Sequence, residues 1–301
     1  MRSLASKVTW RAVLLASLAA IACSKTSSTS ATSASSPAGN GGVCGAGFSQ
    51  WPEADAIFRN DPAWIGSDAA YSIDLSNGSA TRVLWLFGDT FIAKDASRSR
   101  SSSWFIRNSV AVQTGSSDPS SPSAKVAFAW KTSGGQASSF VPESGDHWFW
   151  PLSGIRLPSR LVLFFLEEES TSTGSGSFEF QAVKTHVFFV NNPDADPASW
   201  SLTEGNLPAF SFPVAFGAAV VRDGDAVYAF GDEEPGDHSV YVARFAMSAL
   251  DSGDASKPLF FSNGSWSAPD STPPATIFPS ANPLDNPPTE FSVQKRADGS
   301  W

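Results

Sequence analysis

One apolar stretch, Val83-Leu84-Trp85-Leu86-Phe87, runs straight into the turn Gly88-Asp89-Thr90, and the chain repeats the sentence twice. The echoes are Arg160-Leu161-Val162-Leu163-Phe164-Phe165-Leu166-Glu167-Glu168 and Ala226-Val227-Tyr228-Ala229-Phe230-Gly231-Asp232-Glu233. A short apolar run that ends in acid reads as a buried strand. Its return at roughly regular spacing is the mark of a radial β array.

Composition supports the same class. Hydrophobic residues make up 42% of the 301, including 23 Phe and 11 Trp, so the chain can bury a large core. Only 16% are charged, while Ser, Gly and Pro abound, which suits short strands joined by turns. No long stretch shows helical period with charged support, so an all-α fold is disfavoured.

Strand signals group into units of four. The first unit is Asp68 to Leu75, Val83 to Phe87, Asn108 to Gln113 and Val126 to Trp130, with an Asn77-Gly78 turn after its opening strand and an exposed Ser/Arg-rich loop from Ser97 to Ser103. The second is Trp150 to Leu157, Leu161 to Leu166, Phe178 to Val190 and a piece near Trp200. The third is Val214 to Val221, Ala226 to Phe230, Ser239 to Phe245 and a strand near Phe260 or Trp266. A fourth opens at Glu290-Phe291-Ser292-Val293 and reaches a turn at Ala297-Asp298-Gly299. Unit starts lie about 65 to 80 residues apart, which fits an all-β propeller of four-stranded antiparallel blades with elaborated loops. On this reading the sequence covers about three and a half blades, and the rest of the ring lies beyond Trp301, because an open propeller exposes a sheet edge. The alternative is a β-sandwich with a short final strand.

The expected organisation is a signal peptide at 1–22, a lipidated cysteine with a tether at 23–45, and the propeller at 46–301. Arg2, Lys7 and Arg11 precede an apolar run, Ala12 to Ala22, that is too short to span a bilayer. The run ends Ala20-Ile21-Ala22-Cys23, which resembles a bacterial lipobox with Cys23 as the acylated residue; an ordinary cleaved signal is the other reading. Ser24 after the cysteine implies an outer-membrane lipoprotein of the cell envelope. Ser24 to Gly42 is nearly all Ser, Thr, Ala and Gly, a flexible stalk. Acylation of Cys23 leaves Cys44 either an inert buried thiol or paired beyond residue 301. Three of the 20 basic residues lie in the leader, against 29 acidic residues, so the mature chain carries −12. That charge disfavours nucleic acid as a partner.

In such a unit the start of strand one, the end of strand two and the start of strand three share one face. That face gathers Asp68, Gly88-Asp89-Thr90, Arg107-Asn108, Trp148-Phe149-Trp150, Glu167-Glu168-Glu169, Gly231-Asp232-Glu233 and Glu290. Carboxylates beside aromatic rings suit carbohydrate, since rings stack on sugar faces while carboxylates bind hydroxyls or move protons. Each acid also has a structural reading. Asp89 and Asp232 could be turn formers, and Glu167 to Glu169 a solvated cluster. Asp68 at the start of a central strand is costly unless used or paired. Arg107 could anchor a salt bridge or clamp a carboxylate, and Trp148 and Trp150 could be core.

Trp64-Ile65-Gly66-Ser67-Asp68, Leu84 to Thr90 and Arg107-Asn108-Ser109 resemble the opening blade of bacterial five-bladed β-propeller families related to glycoside hydrolases. The likeness implies Asp68 as base or nucleophile and Glu290 as general acid. Asp89 or Asp232 would supply a third acid from a loop, since the inner strands at Trp150 and Val214 open without one. Arg107, Asn108, Trp148, Trp150 and Asp232 would then bind substrate. A pair about 6.5–9.5 Å apart would invert the anomeric centre and one about 5–5.5 Å apart would retain it. The alternative function is a non-catalytic glycan-binding or scaffold propeller.

Other chemistries lack signals. His147, His186 and His238 show no Cys or acid at metal-ligand spacing, so no metal site is expected. No nucleophile elbow or phosphate loop is present. No cofactor is expected; a structural Ca²⁺ in the central channel is compatible but has no ligand motif. The expected partners are carbohydrate and, through the lipid, a membrane, with the protein itself a monomer.

Overall fold

A computed structural model describes residues 50–78, 80–171, 179–234, 236–268, 274–277 and 290–299. The leader, Cys23, the tether, Cys44, Phe178 and Trp301 lie outside the described residues. Among the described residues no helix is long and apolar enough to cross a membrane.

The fold is all-β, and three larger antiparallel sheets carry it. The first sheet orders Tyr71–Asp74, Arg82–Phe87, Ser109–Thr114 and Lys125–Ala129. The second orders His147–Arg156, Leu161–Ser170, Phe180–Val190 and Leu202–Glu204. The third orders Val214–Asp223, Ala226–Glu233, Val240–Ala246, Leu259–Ser262 and Ser265–Ser267. Every strand pairs with its predecessor within its sheet, so each sheet is a meander.

Side-chain alternation explains why the second strands read as unbroken apolar runs. In Leu161–Ser170, the side chains of Leu161, Leu163 and Phe165 join Ile73, Leu84, Leu86 and Val110 in a core against the first sheet. Val162, Phe164 and Leu166 join Val214, Phe216, Val227 and Phe245 in a second core against the third sheet. A strand covered on both faces must be apolar at every position. Two inter-sheet cores, not the single core of a two-layer sandwich, follow from this stacking.

The opening strands of the three sheets lie side by side. Tyr71 to Asp74, Ser153 to Arg156 and Ala218 to Val220 line one cavity of about 530 Å³, and Phe291 to Gln294 closes its wall. The opening strands of sheets two and three both carry a register shift, at Pro151/Gly154 and at Phe216/Ala219. A bulge at the same place in successive sheets bends each strand around the cavity.

Three expectations need correction. Glu290-Phe291-Ser292-Val293 is not a strand. Phe291 and Val293 are half-buried and Glu290 and Ser292 exposed, so the alternation is there, but the described residues give it no ladder partner, and strands need one. The opening strand of sheet one begins at Tyr71, three residues after Asp68. The region between strands two and three of that sheet is not just a loop: its Thr90–Ala93 and Ser103–Ile106 join Trp64–Ser67, from before the opening strand, in a three-stranded sheet of their own. Trp64, Phe87, Ile92, Ile106 and Ala111 make its core. The Ser/Arg-rich segment is fastened to it by Arg98, whose guanidinium donates to the carbonyls of Asp61 and Trp64 at 2.9 Å each.

Candidate active site

The Gly88-Asp89-Thr90 turn marks the point where the chain leaves sheet one for the small sheet. Thr90 is fully buried and locks the turn. Its hydroxyl lies 2.7 Å from the Gly88 carbonyl, 2.9 Å from Ser109 Oγ and 3.1 Å from Ser67 Oγ. Asp68 is tied to the same turn by backbone, its N–H donating to the Asp89 carbonyl at 3.2 Å and its carbonyl accepting from Gly88 N–H at 3.1 Å. Gly88 leaves room for the Asp68 carboxylate, since a Cβ there would stand 2.5 Å from Asp68 Oδ1 and push it aside. The next residue, Ala69, sits at φ 48°, a left-handed conformation uncommon without glycine. Asp68 is thus presented on a constrained corner.

Asp89 points away from its own backbone. Oδ1 accepts from Trp150 Nε1 at 2.8 Å and Oδ2 meets Arg107 at 3.4 Å. Arg107 is itself sandwiched, its guanidinium 4.2 Å from the Trp148 ring and 5.0 Å from that of Phe105. The structure therefore brings Asp68, Asp89, Arg107, Trp148 and Trp150 together. The turn-former reading of Asp89 is corrected, since its carboxylate bonds side chains across sheets. Arg107 is the salt-bridge anchor that the sequence left as one of two options.

Electrostatics extend the group to Glu290. Burial raises the Asp68 carboxyl above its ordinary value; the N–H of Asp89 works against this and the charge of Glu290 adds to it. Burial also raises Asp89, opposed by the Trp150 hydrogen bond and the Arg107 charge and helped by the charge of Asp68. Tyr71, half-buried beside them, has its phenol pushed up by burial, then by the charges of Glu290 and Asp232. Acids that hold their protons longer than usual, placed around one mouth, can share proton transfer.

Two expected substrate binders are used otherwise. Asn108 is 1% exposed, donates to the carbonyls of Val141 and Phe149 and accepts from Val141 N–H. Both ends of its amide are committed, so it latches the Phe140-Val141 loop to sheet one. Asp232 is 0% exposed and cannot touch a substrate. Trp148 is also buried, as a floor under Arg107, while Trp150 remains half-buried.

The acids of sheets two and three correct the sequence reading further. Glu167 is no solvated residue: it meets His186 Nε2 at 2.7 Å and His147 Nδ1 at 3.0 Å. Glu168 is 3% exposed, and its carboxyl is pushed up to about 8 by burial and then by the charge of Glu234. The expectation that no histidine has acids at ligand spacing also fails. The turn after Ala226–Glu233 folds His238 back until Asp232, Glu234 and His238 offer ligand atoms all within 4.8 Å of one another.

Sequence reasoning missed Tyr71 and Phe105, and it gave no role to His238. Phe105, 47% exposed, is the aromatic ring this rim actually presents. An exposed Phe just before Arg107 was the signal that could have found it.

The profile of a family described as "Domain of unknown function (DUF5005)" matches residues 53–298. The chain belongs to that family. The match spans all three sheets of this DUF5005 domain and both candidate acids. Among curated proteins none matches the chain. Among solved structures the DUF5005 domain is similar to a protein from Bacteroides ovatus ATCC 8483 described as a "putative hydrolase", with a TM-score of 0.55 at 16% identity. The likeness covers 74% of this chain and 58% of that one, so the domain spans little more than half of that protein. At this identity the likeness is one of fold.

Proposed function

We propose that this chain is a carbohydrate-active hydrolase built on a β-propeller, cleaving glycosidic bonds with Asp68 as base and Glu290 as general acid. The observation that carries the reading is the meeting of Asp68 and Asp89 on one turn beside Arg107 and Trp150, with the charge of Glu290 acting on Asp68 and burial holding the Asp68 and Asp89 carboxyls above their ordinary range. The shared fold with a protein described as a putative hydrolase supports it. The three sheets, stacked with their opening strands around one cavity, are its blades; a ring of five needs two more than the described residues form.

The mechanism follows from the positions. Glu290, exposed at the cavity edge, protonates the glycosidic oxygen as the bond to the sugar breaks. Asp68 takes the proton from the attacking water, or attacks directly if the two carboxyls stand close. Asp89 holds the floor: fixed by Trp150 and Arg107, it keeps a negative charge beside Asp68. Phe105 gives a sugar ring an apolar face on which to stack. In this proposal the leader delivers the protein to the envelope, and lipid on Cys23 anchors the monomer at the outer membrane.

A second reading, a glycan-binding propeller without turnover, is favoured by one observation. Both oxygens of Asp89 are already occupied, which leaves the third acid without a free hand. Reducing-end release from a polysaccharide panel by the full-length protein separates the two. The enzyme reading expects turnover that Asp68→Asn and Glu290→Gln each lower by about 10²-fold or more, with binding retained. Retained binding with no turnover by the unaltered protein would leave the second reading standing.

A further inference from the structure

We propose that Asp232, Glu234 and His238 form a binding site for a divalent first-row cation of the Zn²⁺ or Mn²⁺ kind, with Glu168 facing it from the neighbouring sheet. The site does not depend on the hydrolytic proposal.

The geometry is the first support. Asp232 and Glu234 sit at the end of Ala226–Glu233 and just past it, and His238 precedes Val240–Ala246. The turn is closed by Glu233 N–H on the Ser239 carbonyl at 3.0 Å and by Ser239 N–H on Asp237 Oδ1 at 2.9 Å. His238 takes a left-handed φ of 59°, which swings its ring back over the strand end. Its Nδ1 lies 3.0 Å from Asp232 Oδ2 and 3.4 Å from Glu234 Oε2. Two ligands each about 2.1 Å from a tetrahedral ion stand roughly 3.4 Å apart, so little movement is needed to admit one.

The second support is independent of the turn. Asp232 is 0% exposed and its Oδ1 has no hydrogen-bond partner. Glu168, 3% exposed, likewise has an Oε2 with no partner, and it lies within reach of the Glu234 charge. A buried carboxyl oxygen without a hydrogen-bond partner is costly, and Asp232 and Glu168 each hold one. A cation bound between them supplies the missing partner. One imidazole with carboxylates suits Zn²⁺ or Mn²⁺, whereas Ca²⁺ and Mg²⁺ prefer oxygen ligands alone.

The test uses the full chain, stripped with chelator and dialysed, then titrated calorimetrically with ZnCl₂, MnCl₂ and CaCl₂ separately. The expected result is one saturable equivalent of Zn²⁺ or Mn²⁺ with a rise in melting temperature. His238→Ala and Glu234→Gln should each weaken binding at least about tenfold. His186→Ala, which removes the imidazole bonded to Glu167 through Nε2 and to Glu204 through Nδ1, should leave it unchanged. Absence of saturable binding by either ion, or binding unaffected by His238→Ala, overturns the site. Should the variants fail to fold, crystals of the unaltered protein soaked in ZnCl₂ decide by anomalous scattering. A peak bonded to Asp232, Glu234 and His238 supports the site, and peaks only elsewhere overturn it.

Discussion

Phe87-Gly88-Asp89 and Phe230-Gly231-Asp232 are the same three letters at the same place in two sheets, yet they became different things. In sheet one the turn releases the chain into a separate small sheet, and Asp89 stays partly accessible with both oxygens engaged by Trp150 and Arg107. In sheet three the strand runs on through Glu233, and Asp232 is sealed between Ala215 and Val240 with only His238 on one oxygen. The glycines differ too. Gly88 leaves room for the far end of Asp68, whereas Gly231 leaves room for a neighbouring backbone, with Ala215 O 2.3 Å and Phe216 Cα 2.6 Å from where a Cβ would stand. A strand-end acid takes its chemistry from what crosses to meet it, not from its own motif.

The largest break in this comparison should come from the glycines. Gly231→Ala drives a methyl into backbone that cannot yield, and a loss of about 3 kcal/mol or more is expected. Gly88→Ala meets only a flexible carboxylate, so its cost should be about 1 kcal/mol. Urea melts of both variants check the order, and equal losses would refute the distinction.

Next come the residues that follow the acids. Thr90→Val removes a buried hydroxyl from Gly88 O, Ser109 and Ser67, and should cost about 1–3 kcal/mol. Glu233→Ala, at the equivalent place in sheet three, should stay within about 0.5 kcal/mol, because its carboxylate is not buried in a network of this kind.

Much of the fold was legible because burial on both faces writes itself into sequence as an unbroken apolar run. All twelve strands expected for the first three units have counterparts, most within a few residues. The small sheet was not legible: Trp64–Ser67 and Ser103–Ile106 are short, and Ser and Arg hide the second one. The mouth was legible in its members, Asp68, Asp89, Arg107 and Trp150, because strand polarity alone puts them on one face. Their partners were not. Nothing local distinguishes Asn108, spent on the backbone of Val141 and Phe149, from an amide left free for a ligand. His238 was missed because a left-handed residue within a turn brings it to acids that its spacing does not announce.

The Arg107 arm of Asp89 can be tested by pH. Burial already lifts the Asp89 carboxyl, so its ionisation costs stability as pH rises from the ordinary carboxylate range through the lifted value. Arg107 lowers that cost, and Arg107→Gln should therefore extend the penalty upward in pH. The variant should fall behind the parent by a gap that widens as pH rises through the lifted value and narrows as pH falls and Asp89 takes up its proton. A gap that is constant across pH would mean Arg107 acts by packing between Phe105 and Trp148 instead.

The smallest effect should come from Trp150→Phe, which keeps the ring and removes only the Nε1 donor 2.8 Å from Asp89 Oδ1. Water can reach this partly accessible acid, so the single loss should be about 0.5–1 kcal/mol. Its value lies in the double variant with Arg107→Gln. If the two arms hold one carboxylate, removing both strands a charge that either alone could still steady, and the combined loss should exceed the sum by about 0.5 kcal/mol or more. Strict additivity would mean that Asp89 is not held in common. The contrast with Asp232, where a single histidine meets one oxygen, would then narrow to burial alone.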